Sequence, residues 1–134
     1  MTESDEIFND SYERCLKRPD FFYRFYDNYI GADETVAEKF AHTDMDKQKD
    51  MLKASLHMLM ALRSSDSAGA VSYFRRIGTV HGRKGQDIAP EMYDLWLNCL
   101  LQTVEEFDDR YDAEVEMAWR KILAGGIRIM KSVY

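Results

Sequence analysis

Proline is almost missing from this sequence. Of its 134 residues only Pro19 and Pro90 are proline, and the stretch between them, 20–89, has none. A proline inside a helix costs about 3 kcal/mol, so a long stretch free of it is open to helix throughout. Glycine is sparse too, at seven residues. No segment alternates with a period of two residues, no internal repeat appears and no linker divides the chain. These absences predict an all-α chain in a single domain, residues 1–134. The two cysteines, Cys15 and Cys99, lie far apart within helical patterns. They have no metal-ligand spacing and no disulfide framework, although a bond between them stays possible. No apolar run reaches membrane-spanning length, and the opening Met-Thr-Glu-Ser-Asp-Glu is too acidic for a signal peptide. The expectation is a cytoplasmic protein with no membrane partner. Excess positive charge is missing as well: 18 basic residues against 24 acidic give a net charge of −6. That disfavours a nucleic-acid partner, which requires phosphate-neutralising charge. Arg75-Arg76 and Arg83-Lys84 are read as solvated helix charges; one or two of them pairing with an acidic ligand is the alternative.

What is present is an ordinary globular composition, 46% hydrophobic and 31% charged. A chain of this length buries about two thirds of its unfolded surface without staples. Apolar residues at helical spacing mark the segments. The first runs from Asp5 to Lys17, with Ile7, Tyr12 and Cys15 inward. Pro19 stands at a first-turn position and opens an aromatic helix with Phe21, Phe22, Phe25, Tyr26, Tyr29 and Ile30, ending near Gly31. Asp33–Phe40 is a short helical turn. Thr43 to Asp46 reads as a capping box with Thr43 as N-cap. It opens a helix whose stripe is Met45, Gln48, Leu52, Ser55, Leu56, Leu59 and Met60. Ser64-Ser65-Asp66-Ser67 breaks the pattern, and a helix from Ala68 ends at His81, followed by Gly82 and Gly85. Pro90 starts the next helix, which carries Tyr93, Trp96, Cys99 and Val104. Asp108–Asp112 is a polar corner, and a last helix spans Ala113–Ser132.

Two features need a cause. Gly125-Gly126 lies inside the last helix, where each glycine costs about 1 kcal/mol. Close approach of a neighbouring helix backbone or a flat ligand would explain it; a kink is the alternative. His81 closes an apolar stripe with Ile77, Phe74 and Val71 behind it, so its ring can point into the core. A lone buried histidine is usually hydrogen-bonded to a carbonyl, and a ligand role needs a second signal. His42 and His57 read as surface residues, and Met45, Met51, Met58 and Met60 as packing.

The second signal is order along the chain. Phe25-Tyr26, then Phe40, then Gln48-x-x-x-Leu52, then His81, then Gly85 through Pro90 to Tyr93, and finally Trp119 resemble the landmarks of the bacterial single-domain globins. They are also similar to the globin module of flavohaemoglobins. The resemblance covers nearly the whole chain. It implies a globin fold, a three-on-three helical sandwich, with haem b held by His81 as the iron ligand. Phe40, Leu52, Ile77 and Tyr93 would line the cofactor pocket, and Tyr26, Gln48 and Leu52 the distal ligand site. A register shift would centre that site on Leu52, with Leu56 a turn later.

The implied function is reversible binding of dioxygen or another diatomic gas, for storage, transport or sensing. Tyr26 offers an O–H donor and Gln48 an N–H₂ donor to the partial negative charge of bound dioxygen. Each such bond contributes roughly 1.5–3 kcal/mol. The alternative is a haem enzyme acting on nitric oxide or peroxide with a separate reductase. A signalling partner is a further implied possibility, and a globin fold without haem is a third reading. One departure from the family pattern bears on the choice. Flavohaemoglobins pair the proximal histidine with a tyrosine and a glutamate; Tyr93 matches the tyrosine, whereas Tyr134 stands where the glutamate is expected. The sequence also ends where a reductase would be expected to begin. Both points count against a self-sufficient nitric oxide dioxygenase.

Overall fold

The computed structural model describes residues 2–64 and 66–134. Seven helices follow in chain order: α1 (Glu3–Leu16), α2 (Phe21–Ala32), α3 (Glu34–Phe40), α4 (Met45–Ala61), α5 (Ala68–His81), α6 (Met92–Phe107) and α7 (Ala113–Ser132). There is no strand among the described residues. Both prolines stand just outside helices, Pro19 in the turn before α2 and Pro90 in the turn before α6. The sequence reading placed each inside the helix it precedes. Ser65, within the predicted break, lies outside the described residues.

Side-chain oxygens at the helix starts take up amide protons that would otherwise lack a partner. Thr2 and Asp5 cap α1 reciprocally, Thr2 Oγ1 accepting from Asp5 N at 3.2 Å and Asp5 Oδ2 from Thr2 N at 2.9 Å. Asp33 and Asp112 cap α3 and α7. The predicted Thr43 cap of α4 is corrected: Asp44 is the N-cap, its Oδ1 accepting from Asp46 N at 3.0 Å and Lys47 N at 3.3 Å. Thr43 instead donates its amide to the Phe40 carbonyl and closes the end of α3.

Packing assembles these elements into one core. α1 lies on α7, α2 on α6 and α5 on α7, while α4 touches α2, α5 and α7. On α1 the buried face is Phe8, Ser11, Tyr12 and Cys15. Phe8, which the sequence reading passed over for the half-buried Ile7, meets Trp119 edge-on with ring centroids 4.7 Å apart. Cys15 and Cys99 are both buried free thiols.

A polar staple crosses this core. Asp108, at the end of α6, accepts from Ser11 Oγ at 2.6 Å, from Arg14 at 2.5 and 3.0 Å, and from the Arg110 amide at 2.9 Å. Trp119 Nε1 donates to the same Ser11 oxygen at 2.8 Å. α1, α6 and α7 are thereby joined by a buried carboxylate whose oxygens are all engaged, the condition under which burying a charge is tolerable. Burial alone would raise the Asp108 carboxyl pKa; the Arg14 and Ser11 hydrogen bonds overcome this and hold it below the ordinary value.

Two glycines set helix spacing. A Cβ on Gly78 would stand 2.8 Å from Met130 Cα and 2.6 Å from Val133 Cγ2, so α5 can lie this close to α7 only without one. In the Gly125-Gly126 pair, a Cβ on Gly126 would reach 2.8 Å from Leu59 Cδ2 and 3.2 Å from Phe74 Cε1. What comes close there is side chains of α4 and α5, not the helix backbone expected from sequence. Gly125 has only an ordinary contact, 3.6 Å to Leu62 Cδ1.

Candidate functional site

α5 buries Ala70, Phe74 and Gly78, and brings Ile77 and His81 half-buried along the same side. The chain must then turn sharply. Gly82 caps the helix, the amides of Asp87 and Ile88 donate back to the carbonyls of Gly82 and His81 at 2.8 and 2.6 Å, and Gln86 N donates to Val80 O at 2.9 Å. Gly85 passes so near α5 that a Cβ would fall 2.0 Å from Val80 O. Only glycine fits that turn, which makes His81 the last residue of a well-tethered helix end.

His81 borders a cavity of about 240 Å³. Protein interiors are close-packed and rarely hold voids larger than a water, whose share of liquid volume is about 30 Å³. A space several times that size is therefore a built feature. All seven residues singled out from sequence line it: Tyr26 from α2, Phe40 from α3, Gln48 and Leu52 from α4, Ile77 and His81 from α5, and Tyr93 from α6. With Leu123 and Gly126 of α7, six helices converge on one space.

The walls are mainly apolar. Leu52, Leu56, Leu59 and Phe74 are buried there, and Gly126 leaves room beside the last two. Phe40 packs edge-on against Tyr26 and Tyr29, at ring-centroid distances of 5.6 and 6.1 Å. Met51 and Val80, 55% and 56% exposed, belong to both the cavity and the surface and mark its mouth. His42 and His57 are exposed, as expected, and line no part of the cavity.

The polar groups are few. Tyr26 is 4% exposed, and its hydroxyl donates to the backbone carbonyl of Gln48 at 3.4 Å, which places the two residues together. Burial pushes the Tyr26 phenol up to about 12, so it keeps its proton at physiological pH. The His81 ring is held below its ordinary pKa by burial and is therefore neutral at pH 7. Its Nδ1 is buried with no hydrogen-bond partner. Such an orphaned atom costs about 1–3 kcal/mol unless something else satisfies it. Among the described residues, no group of three His, Cys, Asp or Glu side chains comes together to hold a metal ion. His81 is thus a lone nitrogen donor in an apolar cavity.

Tyr93 is buried beside the cavity and its phenol too is pushed up to about 12 by burial. Tyr134, at the position expected from the family pattern to carry a glutamate, engages the loop after His81: its hydroxyl donates to Asp87 Oδ1 at 2.5 Å, and Arg83 lies 4.9 Å over its ring. Several contributors escaped the sequence reading as site residues, Lys39, Ser55 and Trp96 among them. Lys39 borders the cavity, its Nζ donating to Gln86 O at 2.8 Å. Ser55 pairs with Tyr73 at 2.9 Å, and Trp96 lines the wall from α6. Ser55 and Trp96 fall on stripes that were legible, but periodicity separates inward from outward and says nothing about which inward residues face a void. Lys39 had one usable signal, its place directly before Phe40.

No family model matches the sequence, and no curated protein matches it. Among solved structures, the chain is similar to a crystal structure of a protein from Pseudomonas aeruginosa PAO1 described as structurally highly homologous to a human hemoglobin. The two share 38% sequence identity over 98% of each chain, with a TM-score of 0.89. At that identity and coverage the likeness extends beyond the fold. The chain belongs to the bacterial single-domain globins, and its helices form the three-on-three sandwich of that fold.

Proposed function

We propose that this globin binds haem b through His81 and reversibly holds dioxygen or a related diatomic gas. The observation that carries the reading is the convergence of Tyr26, Phe40, Gln48, Leu52, Ile77, His81 and Tyr93 on one apolar cavity, with the buried His81 Nδ1 lacking a partner. These residues fit the group. An iron already held by a macrocycle needs only one further protein donor, and a neutral imidazole is a suitable one.

When bound, haem supplies the iron at which a diatomic gas is held. The chain's own residues supply the rest. His81 offers its ring nitrogen from a helix end that the Gly82–Ile88 turn holds in place. Phe40, Leu52 and Ile77 give apolar contact to a flat ligand and exclude water. Tyr26 keeps its proton, and its O–H, which rests on the Gln48 carbonyl at 3.4 Å, would turn to a bound ligand, with Gln48 offering a carboxamide from α4. A donor here favours a ligand that carries partial negative charge, which selects dioxygen over carbon monoxide.

The test is an absorption spectrum of the purified chain, ferric, ferrous and with gas added, paired with thermal melts with and without haem. A ligand that binds only the folded state raises the melting midpoint by mass action. The reading expects a Soret band that shifts reversibly with dioxygen and carbon monoxide, and a holo midpoint above the apo one. A chain that takes up no haem, with equal midpoints, would contradict it.

A further inference from the structure

Among the described residues that line the cavity, Lys39 is the one lysine, and no Asp, Glu or Arg is among them. Its position is set by its neighbour. Phe40 is anchored by its ring contacts to Tyr26 and Tyr29, and successive helix residues diverge by about 100°. Phe40 therefore points inward and Lys39 lies along the rim. From there its ammonium crosses from α3 to the loop that follows His81, ending on the Gln86 carbonyl at 2.8 Å.

That ammonium has no carboxylate partner. The ion pairs among the described residues leave Lys39 out. In a chain of net charge −6 the general field repels an anionic ligand, so a local cation is needed to hold one. One unpaired positive charge at the mouth of an otherwise neutral cavity marks where a negative group can rest. An ammonium has three donors, and the Gln86 carbonyl takes one. Thr43, farther along the chain, borders the same cavity.

We propose that Lys39 is the anchor for a carboxylate carried on the edge of the cavity's ligand, fixing that ligand with its acidic edge outward between α3 and the loop after His81. The inference rests on the haem reading, in which the carboxylates are the two propionates. Lys39 thereby sets the orientation and residence of the ligand, and ties α3 to the His81 loop through it.

The experiment compares loss of two probes, ferric haem and its dimethyl ester, to an excess of apomyoglobin. The protein is loaded with each in the wild type, Lys39→Met and Lys39→Arg. Lys39 is exposed, and matching circular dichroism melts of the apo forms establish that the variants fold. Haem should leave Lys39→Met about fivefold faster than wild type, as expected for a partly solvated ion pair. Lys39→Arg should stay within about twofold of wild type. The ester has no charge to anchor, so its loss should not distinguish wild type from Lys39→Met. Added salt should speed haem loss from the wild type and leave Lys39→Met unaffected. Equal haem loss from wild type and Lys39→Met, or an ester that discriminates as strongly as haem, overturns the anchor while haem binding stands. A wild-type chain that takes up neither probe overturns the haem reading and the anchor together.

Discussion

The Tyr26 hydroxyl lies 3.4 Å from the backbone carbonyl of Gln48. One hydrogen bond thus joins α2 and α4 at the wall of the cavity, and it uses the Gln48 main chain, leaving the carboxamide free for other work. The two residues are coupled in position but not competing for the same donor. Tyr26 is rigid on its helix, whereas Gln48 must give up side-chain entropy to reach a ligand.

In Tyr26→Phe, which keeps the ring and removes the donor, dioxygen dissociation should accelerate about tenfold or more. Gln48→Leu should respond less, and carbon monoxide should respond weakly to either. Because burial raises the phenol to about 12, the wild-type dissociation rate should stay flat from about pH 6 to pH 9, rising only as the donor proton is lost. Stopped-flow rates that are unchanged in Tyr26→Phe would favour the shifted register centred on Leu52.

Asp108→Asn should destabilise the fold by about 3 kcal/mol at pH 7, since Arg14 loses the partner of a largely buried pair. The pH dependence follows from the lowered carboxyl pKa. A carboxylate with a folded pKa below its unfolded value, about 3.9, stabilises above that value and stops doing so as pH falls through the folded one. Urea melts from pH 7 to pH 3 should therefore show the gap between wild type and variant narrowing below about pH 4. A gap of constant size would mean the carboxylate charge is not what holds α1, α6 and α7 together.

Glycine substitutions separate packing from propensity. Gly78→Ala forces a methyl into Met130 and Val133 and should lower stability by about 1–3 kcal/mol. Gly125→Ala meets only Leu62 at 3.6 Å and should raise it by up to about 1 kcal/mol through helix propensity. Thermal midpoints moving in opposite directions bear this out. A fall in both would mean α7 has no room at either position.

The contrast between those glycines shows what was legible from sequence. The scarcity of proline and the apolar stripes were enough for all seven helices, and α7 was read from Ala113 to Ser132 by its apolar stripe after the polar corner 108–112, where the structure puts its Asp112 cap. Helix starts were less clear: Thr43 and Asp44 are both good caps, and only backbone geometry chooses between them. Phe8 was hidden behind Ile7, since a short helix lets either neighbour fill the inward position. The convergence of Tyr26, Gln48 and His81 on one cavity was readable through family order. The Lys39–Gln86 and Tyr134–Asp87 contacts were not, because each joins segments 47 residues apart that no local pattern links.

The account turns on His81. Reconstituting His81→Leu and wild type with equal haem, then measuring bound haem per chain and the Soret band, tests it most directly. The variant should lose most of its haem, and any that remains should show a shifted band, because no other histidine lines the cavity. Full occupancy with an unchanged spectrum in His81→Leu would contradict it.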